Sequence, residues 1–447
     1  TYEDLINEKR LEFAMEGRSW FDLIAWSYFA PEEAMNYIEN QTNEIFSLYY
    51  IIDMGKDHNI ELPIAVNYLP YLGTDKYSPA ELKQEFFKLG LRMGVSTSDD
   101  RSYIYISGLD KSFDKGVKLL EHVLSSVEPT QSVYDEYVEG IMKKRSDAKL
   151  NKSVILWSAL FNYGKYGQFS PFTNIMQEEE LKNMNPEFLT NLLKNLYSYK
   201  HKVFYYGPKN MEAVQMSLSK EHMVPDKLLD YPEAVVYTEK PTTENKVYFV
   251  NYDMVQTNII MLSKDGLFDK KLIPDARLFS EYYGGGLSSI VFQEIREARG
   301  LAYSAFASFS VPGKIDESNY IYTFVATQAD KLEEATSAMK NLMNNMPEAS
   351  IQFQSAKEAI QTKIETERIT KADIFWTFQR NLERGIDYDV RKDVYEYAKD
   401  VSLEEFEEFF DEYIKERKYN YLIIANRDLL DMNKLNELGT VEELSLE

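Results

Sequence analysis

Two periods of hydrophobicity alternate along the chain, and the order in which they appear repeats once. In Ile45-Phe46-Ser47-Leu48-Tyr49-Tyr50-Ile51-Ile52 the apolar positions recur with the period of two that marks a strand. A helical stretch is expected over 63–72. A second helix starts at Ser78-Pro79-Ala80-Glu81, where serine suits the N-cap and proline the first helical position, whose N–H has no intrahelical partner to lose. A strand over 102–108, a helix over 113–127, two more helices and a strand over 202–206 bring the first half to its stop at Gly207-Pro208.

The second half follows the same order. Strands are expected at 245–251 and 258–263, a helix at 274–299 interrupted at 284–286, strands at 305–311 and 320–326, and helices at 331–346 and through much of 350–415. A strand over 419–425 closes it. The two closing strands begin 217 residues apart, too long a period for a solenoid and the right length for a duplicated domain. Runs of strands mixed with runs of helices predict an α+β fold, each half a mainly antiparallel sheet with helices on one face. Residues 209–244, rich in Pro, Lys, Glu and Thr, read as the connection. The expected division is a helical segment 1–36, a domain 37–225, a linker 226–245, a domain 246–432 and an acidic tail 433–447.

Composition narrows the function. The 447 residues are 44% hydrophobic and 14% aromatic, enough for two cores. A net charge of −23 argues against a nucleic-acid partner, because phosphate neutralisation needs clustered Lys and Arg. The absence of cysteine removes thiolate catalysis, disulfides and thiolate-bound metals. No run approaches the roughly 18 apolar residues of a membrane span.

Candidate chemistry concentrates in residues 281–310, EYYGGGLSSIVFQEIREARGLAYSAFASFS. Gly284-Gly285-Gly286 permits close backbone approach. It does not form a phosphate loop, since G-x-x-x-x-G-K-[ST] is absent. Arg296 and Tyr303 stand seven apart with Gly300 ending the helix between them, a spacing that can aim a guanidinium and a phenol at one carbonyl or carboxylate. The plainer alternative pairs Arg296 with Glu294 or Glu297 and leaves Tyr303 to packing.

GGGLSSIVFQEIREARGLAYS resembles the second half of the M16 zinc metallopeptidases, the family of pitrilysin, insulin-degrading enzyme and the mitochondrial processing peptidase. The resemblance extends over roughly residues 37–432 and includes Gly73-Thr74 to Leu82. It implies two M16-type (LuxS/metallopeptidase-like) domains. It also implies that Arg296 and Tyr303 assist at the substrate and its oxyanion, with Gly284, Gly285, Gly286, Leu287, Ser288 and Arg299 along the binding surface. The family's metal motif, H-x-x-E-H, supplies two zinc ligands and a general base. In the equivalent place stand Ile64, Asn67 and Tyr68, a set unable to hold zinc. His58, His122, His201 and His222 are scattered in sequence. Lys118 to His122 imitates the motif only superficially, and Glu136 and Glu139 read as solvated helix carboxylates. The chain itself is therefore expected to carry no cofactor. The implied partners are a catalytic half or a separate H-x-x-E-H subunit that houses zinc, and unfolded peptides as substrate. A catalytically silent peptide-binding scaffold is the alternative.

Residues 8–23, from Glu8-Lys9-Arg10 to Trp20-Phe21-Asp22-Leu23, resemble a different family, the C-terminal region of SusD/RagB outer-membrane lipoproteins. Three origins stay open: a fused or mis-assembled piece, a helical hairpin of similar pattern, or a true lead-in to the first domain. A foreign segment would be removable through residue 36 without loss of stability. The two resemblances together imply a Bacteroidetes-like bacterial envelope setting, with the periplasm as compartment and a nutrient-uptake component as a further alternative function.

Overall fold

A computed structural model describes residues 25–28, 34–40, 42–284, 286–367 and 372–446. The first half contributes strands β1 (Ala25–Tyr28), β2 (Ala34–Glu39), β3 (Ile45–Ile52), the two-residue β4 (Gly73–Thr74), β5 (Leu91–Thr97), β6 (Ser102–Leu109), the two-residue β7 (Val127–Glu128) and β8 (Lys202–Gly207). The second contributes β9 (Lys246–Asn251), β10 (Gln256–Leu267), β11 (Ala302–Ser310), β12 (Ser318–Gln328), β13 (Asn420–Ala425) and β14 (Thr440–Glu443).

Two six-stranded sheets result, ordered β1-β2-β8-β3-β6-β5 and β11-β12-β10-β13-β9-β14. Read in reverse, the second sheet repeats the first. A parallel pair (β2 with β8, β9 with β13) is followed by three antiparallel pairings. The duplication is thus written in the hydrogen bonding. Only the outermost strand differs: β1 runs antiparallel to β2, whereas β14 runs parallel to β9.

Local chemistry explains the helix starts. Ser78 and Glu81 form a reciprocal capping box, Glu81 N–H donating to Ser78 Oγ at 3.3 Å and Ser78 N–H to Glu81 Oε2 at 2.8 Å. Ser402 and Glu405 do the same for the helix Leu403–Tyr413. Each half folds its own helices over one sheet face and encloses a large apolar core there.

The expectation of helices on one face describes only half of the packing. All six residues of β13 are buried, with Tyr421, Ile423 and Ala425 in the main core of the second half and Leu422 and Ile424 on the opposite face. Alternate side chains point to opposite faces, so that second face needs cover of its own. It comes from the other half. The stretch from Ile155 to Tyr166 of the first half lays Ile155, Leu156 and Leu160 on Leu262, Leu422 and Ile424. Reciprocally, the helix Asp373–Glu383 of the second half sets Ile374 and Phe375 on Ile38, Ile51 and Phe204 of the first sheet. Phe375 stacks on Phe204 with ring centroids 4.0 Å apart. Asn420 Nδ2 donates to the Gly164 carbonyl at 2.9 Å, and a Cβ on Gly164 would come within 2.9 Å of Leu422.

Three segments differ from expectation. Of the proposed helix 1–36, residues 1–24 and 29–33 lie outside the described residues, as do the side chains of 25–28. The rest is strand: β1, and the start of β2, where Met35 and Asn36 are fully buried. Asn36 occupies an inward position that reads as polar in sequence, which hid the alternation. Deletion through residue 36 would therefore remove part of the first core. Within 209–244 the helix Met211–Glu221 forms, its first turn capped by Asn210 Oδ1, which accepts the Ala213 N–H at 2.9 Å. The acidic end holds the helix Met432–Leu438 and the edge strand β14.

Because Phe375 is the fully buried centre of one exchanged contact, Phe375→Ala should cost about 3–5 kcal/mol of unfolding free energy. Denaturant titration reads this directly, and a loss below about 1 kcal/mol would mean that the exchange contributes little.

Candidate functional site

The segment singled out by sequence forms the outer edge of the second sheet. The helix Ile273–Phe279 continues into a wider π-helical turn, Ser280–Gly284, and a second π-helical stretch spans Phe292–Glu297. Tyr282 and Tyr283 are fully buried and anchor the turn. Gly284 is required by contact, since a Cβ there would lie 2.1 Å from the Ala307 carbonyl of β11. Gly285 lies outside the described residues. Gly286 and Ser288 are exposed, and Leu287 exposes 74% of its surface.

Gly300, at φ +57°, ends the helical run. Its N–H donates to Arg296 O and the Leu301 N–H to Ile295 O, each at 3.0 Å, which satisfies two terminal carbonyls and turns the chain into β11. Tyr303 follows at a register shift. Ala302 pairs with Thr327 and Ser304 with Ala326, leaving Tyr303 as the extra residue of a bulge. Bulges re-aim side chains, and Tyr303 stands 74% exposed.

Arg296 and Tyr303 come together. The guanidinium carbon lies 5.5 Å from the Tyr303 ring centre and 4.8 Å from that of Phe292, so two aromatic faces hold the cation in place. Its contact with Glu297 is long, 3.6 Å from Nε to Oε1, with both side chains well exposed, and contributes little. Arg299 turns instead towards Glu294, at 3.9 Å. The result is a cation and a phenol presented together at the start of an edge strand, beside backbone groups that have no strand partner on that side among the described residues.

The helix Leu62–Tyr68 occupies the place where the resemblance puts zinc, and its residues do not fit a metal. Asn67 is exposed, while Tyr68 is fully buried among tyrosines. Its ring stacks on Tyr137 at 5.1 Å and meets Tyr134 edge-on at 5.6 Å. Tyr68 OH donates to Thr130 O at 3.3 Å, and Tyr137 OH to Ile64 O at 3.1 Å. Burial raises the Tyr68 hydroxyl above the ordinary phenol range and pushes Tyr134 up to about 12, so these groups stay protonated donors. Glu136 and Glu139 are exposed. Among the described residues, no group of three or more His, Cys, Asp or Glu side chains could hold a metal ion.

The histidines are less scattered than their numbers suggest. His201 Nε2 and His222 Nε2 lie 2.8 Å apart, His222 Nδ1 lies 2.9 Å from Glu121 Oε1, and His201 Nδ1 lies 2.8 Å from Tyr199 O. A carbonyl only accepts, so His201 Nδ1 carries a proton, and each of the other two contacts needs one more. Glu121, His222 and His201 are therefore linked in one buried hydrogen-bonded chain, which Tyr50 OH joins by donating to Glu121 Oε1. No spacing signals it, because the members come from a helix, a helix end and a strand entrance far apart in sequence. His122 has a separate role. Its Nε2 lies 3.0 Å from Thr74 Oγ1, which also accepts the backbone N–H of Lys76 at 3.2 Å and of Tyr77 at 3.1 Å, so it pins the Gly73-Thr74 turn. Burial, reinforced by Lys76, holds this imidazole below the ordinary histidine range.

Residues 193–360 match the model of the peptidase M16 inactive domain. A protein described as an uncharacterized zinc protease of Rickettsia bellii (strain RML369-C) is 21% identical over 291 residues, 63% of this chain and 67% of that protein. A SusD-like protein of Bacteroides ovatus is 42% identical over 41 residues, which is 9% of this chain and 8% of its own. Among solved structures, the peptidase M16 inactive domain from Pseudomonas fluorescens superposes with a TM-score of 0.69 at 14% identity, covering 90% of this chain and 97% of that one. The periplasmic protease PqqL from Escherichia coli superposes at 0.68 and 10% identity, covering 90% of this chain and 46% of that one.

Two tests address the buried groups. Removing the imidazole in His222→Ala leaves the buried Glu121 carboxyl without one of its hydrogen-bond partners and should cost about 1–3 kcal/mol. Adding Glu121→Gln should recover part of that loss, and strict additivity in the double-mutant cycle would refute the coupling. For His122, a folded-state affinity for protons below that of the unfolded chain means that stability is complete above the unfolded pKa near 6.5 and falls as pH drops through it. His122→Gln should therefore flatten the decline in thermal midpoint between about pH 7 and pH 5. Parallel profiles for the two proteins would show that His122 is not its source.

Proposed function

Since the chain belongs to the M16 peptidase family through its inactive-domain half, we propose that it is the non-catalytic half or subunit of a zinc metallopeptidase, enclosing unfolded peptides and presenting Arg296 and Tyr303 to them. The observation that carries this reading is the exposed Arg296–Tyr303 pair, 5.5 Å from guanidinium to ring centre, at the head of the edge strand β11. A peptide adding to that edge would be gripped through its backbone without regard to sequence. Both side chains would then donate hydrogen bonds to one substrate carbonyl, where negative charge develops during hydrolysis. Gly286, Leu287 and Ser288 would border the same groove.

Zinc in this reading resides in the complementary half, supplied by the same gene or by a separate H-x-x-E-H subunit. The tyrosine-filled surroundings of Leu62–Tyr68 support that division, because a chain that had merely lost one ligand would retain the others. A bacterial envelope, in particular the periplasm, is the compartment we assign. The likeness to PqqL and the short SusD-like match support it. No helix among the described residues is long and apolar enough to cross a membrane.

Reconstitution with an H-x-x-E-H partner tests the roles. Arg296→Ala and Tyr303→Phe should each lower kcat/KM on an unstructured peptide by about 10- to 100-fold, as loss of one donor to a developing oxyanion does, with zinc content of the complex unchanged. Undiminished kcat/KM in both variants would take the pair out of the reaction and favour a silent peptide-binding scaffold.

A further inference from the structure

The exchanged helix Asp373–Glu383 does more than cover the first sheet. Between it and β3, β5 and β6 lies a cavity of about 350 Å³. Its aromatic walls are Tyr49, Tyr103 and Tyr105 from the sheet and Trp376 from the helix. Tyr49 stacks on Tyr105 at 5.0 Å, and the Trp376 indole meets Tyr49 and Tyr103 edge-on at 5.3 and 5.1 Å.

The charged side chains that line it are cationic, with Asp53, Glu383 and Asp373 standing behind the wall. In a chain of 73 acidic residues, the cavity lining contains two arginines and no carboxylate. Arg101 is fixed in the wall by Asp53 at 2.6 Å and by Glu383 at 2.7 Å. Arg380 is not matched in this way. Its Nη2 donates to Thr377 Oγ1 at 2.9 Å, and among the described residues no carboxylate pairs with it. Beside it, burial together with Arg277 and Arg380 lowers the affinity of Arg384 for its proton, a sign of surplus positive charge at this end of the helix. Gln379 completes the set. It lines the cavity, is only 8% exposed, and its Nε2 has no hydrogen-bond partner among the described residues. A buried amide N–H without an acceptor is destabilising, and an entering oxygen would restore that loss.

We propose that this cavity binds the carboxylate of a peptide whose neighbouring residue is aromatic, with Arg380 and the Gln379 amide donating to the two carboxylate oxygens and the aromatic ring lodging against Trp376, Tyr49 and Tyr103. One unpaired guanidinium and one amide match the single charge and planar pair of oxygens of a carboxylate. The volume accommodates one or two side chains. The cavity belongs to the first sheet and the Arg296–Tyr303 pair to the edge of the second, so binding here does not require the reading given above, though it would supply that reading with a substrate preference.

Calorimetry on the full chain alone, without a catalytic partner, tests it. The probe is acetyl-Gly-Phe-Glu-Gly-amide, compared with its glutamine counterpart and with acetyl-Gly-Phe bearing a free terminal carboxylate. The glutamate peptide should bind at least about tenfold more tightly than the glutamine peptide, the difference expected for a charge-assisted hydrogen bond. Arg380→Ala, at an exposed position, and Gln379→Ala should each weaken the glutamate peptide by about tenfold, with the thermal midpoint of the arginine variant unchanged. Arg296→Ala should bind it as the parent does. If only the terminal carboxylate binds and the Arg380 variant loses it, the ligand is a peptide C-terminus and the site stands. Equal affinity for the glutamate and glutamine peptides together with no binding of the terminal carboxylate, or a preference that survives in Arg380→Ala, overturns the proposal. Failure of Arg296→Ala to alter hydrolysis in a reconstituted enzyme would leave this result untouched.

Discussion

A sheet buried on both faces cannot be completed by the domain that builds it. In each half the local helices cover one side, and the residues of β8 and β13 that point the other way, Phe204 in one case and Leu422 and Ile424 in the other, are as apolar as those facing the core. Leaving them in water would forfeit roughly 1.5–3 kcal/mol for each large side chain. Two helical segments crossing between the halves remove that penalty, and Asn420 bonded to Gly164 together with Arg101 bonded to Glu383 fix their positions with polar contacts. The duplicated domains are therefore mutually dependent, and everything else in the molecule is placed relative to this interlock.

The interlock also creates chemistry. The cavity at Trp376 exists because a helix with an aromatic underside and an arginine-bearing flank crosses a sheet face carrying tyrosines. Neither half has this surface by itself. The helix Leu62–Tyr68, by contrast, is held by packing within the first half. Four tyrosines, at 68, 71, 134 and 137, fill the space by stacking and by hydroxyl bonds to backbone carbonyls. That arrangement satisfies packing and hydrogen bonding together.

Much of the architecture was legible in advance. Strands at Ile45–Ile52 and Asn420–Ala425 announce themselves by density of Ile, Leu and Tyr, and the start of the helix Pro79–Lys88 is spelled by Ser78 and Glu81. Elements with mixed or short patterns were not visible. β5 contains Arg92, Gly94 and two hydroxyl residues, β2 carries the buried Asn36, and β14 is acidic and lies on an edge. The candidate site was half legible. The spacing of Arg296, Gly300 and Tyr303 gave the pairing, but the bulge that exposes Tyr303 depends on its register with β12, which one strand alone does not encode.

The sequence by itself determined the duplication, the α+β class, the lack of a metal motif and the position of the arginine and tyrosine, because each of these is set by local periodicity or by residue type. Only the tertiary structure decided which helix covers which sheet, that Glu121, His201 and His222 are linked in one hydrogen-bonded chain, and that Gln379 and Arg380 face a cavity of tyrosines. These depend on contacts between residues tens to hundreds of positions apart. Such contacts form when apolar faces seek cover from water, a drive that acts on surface area and carries no record of order along the chain.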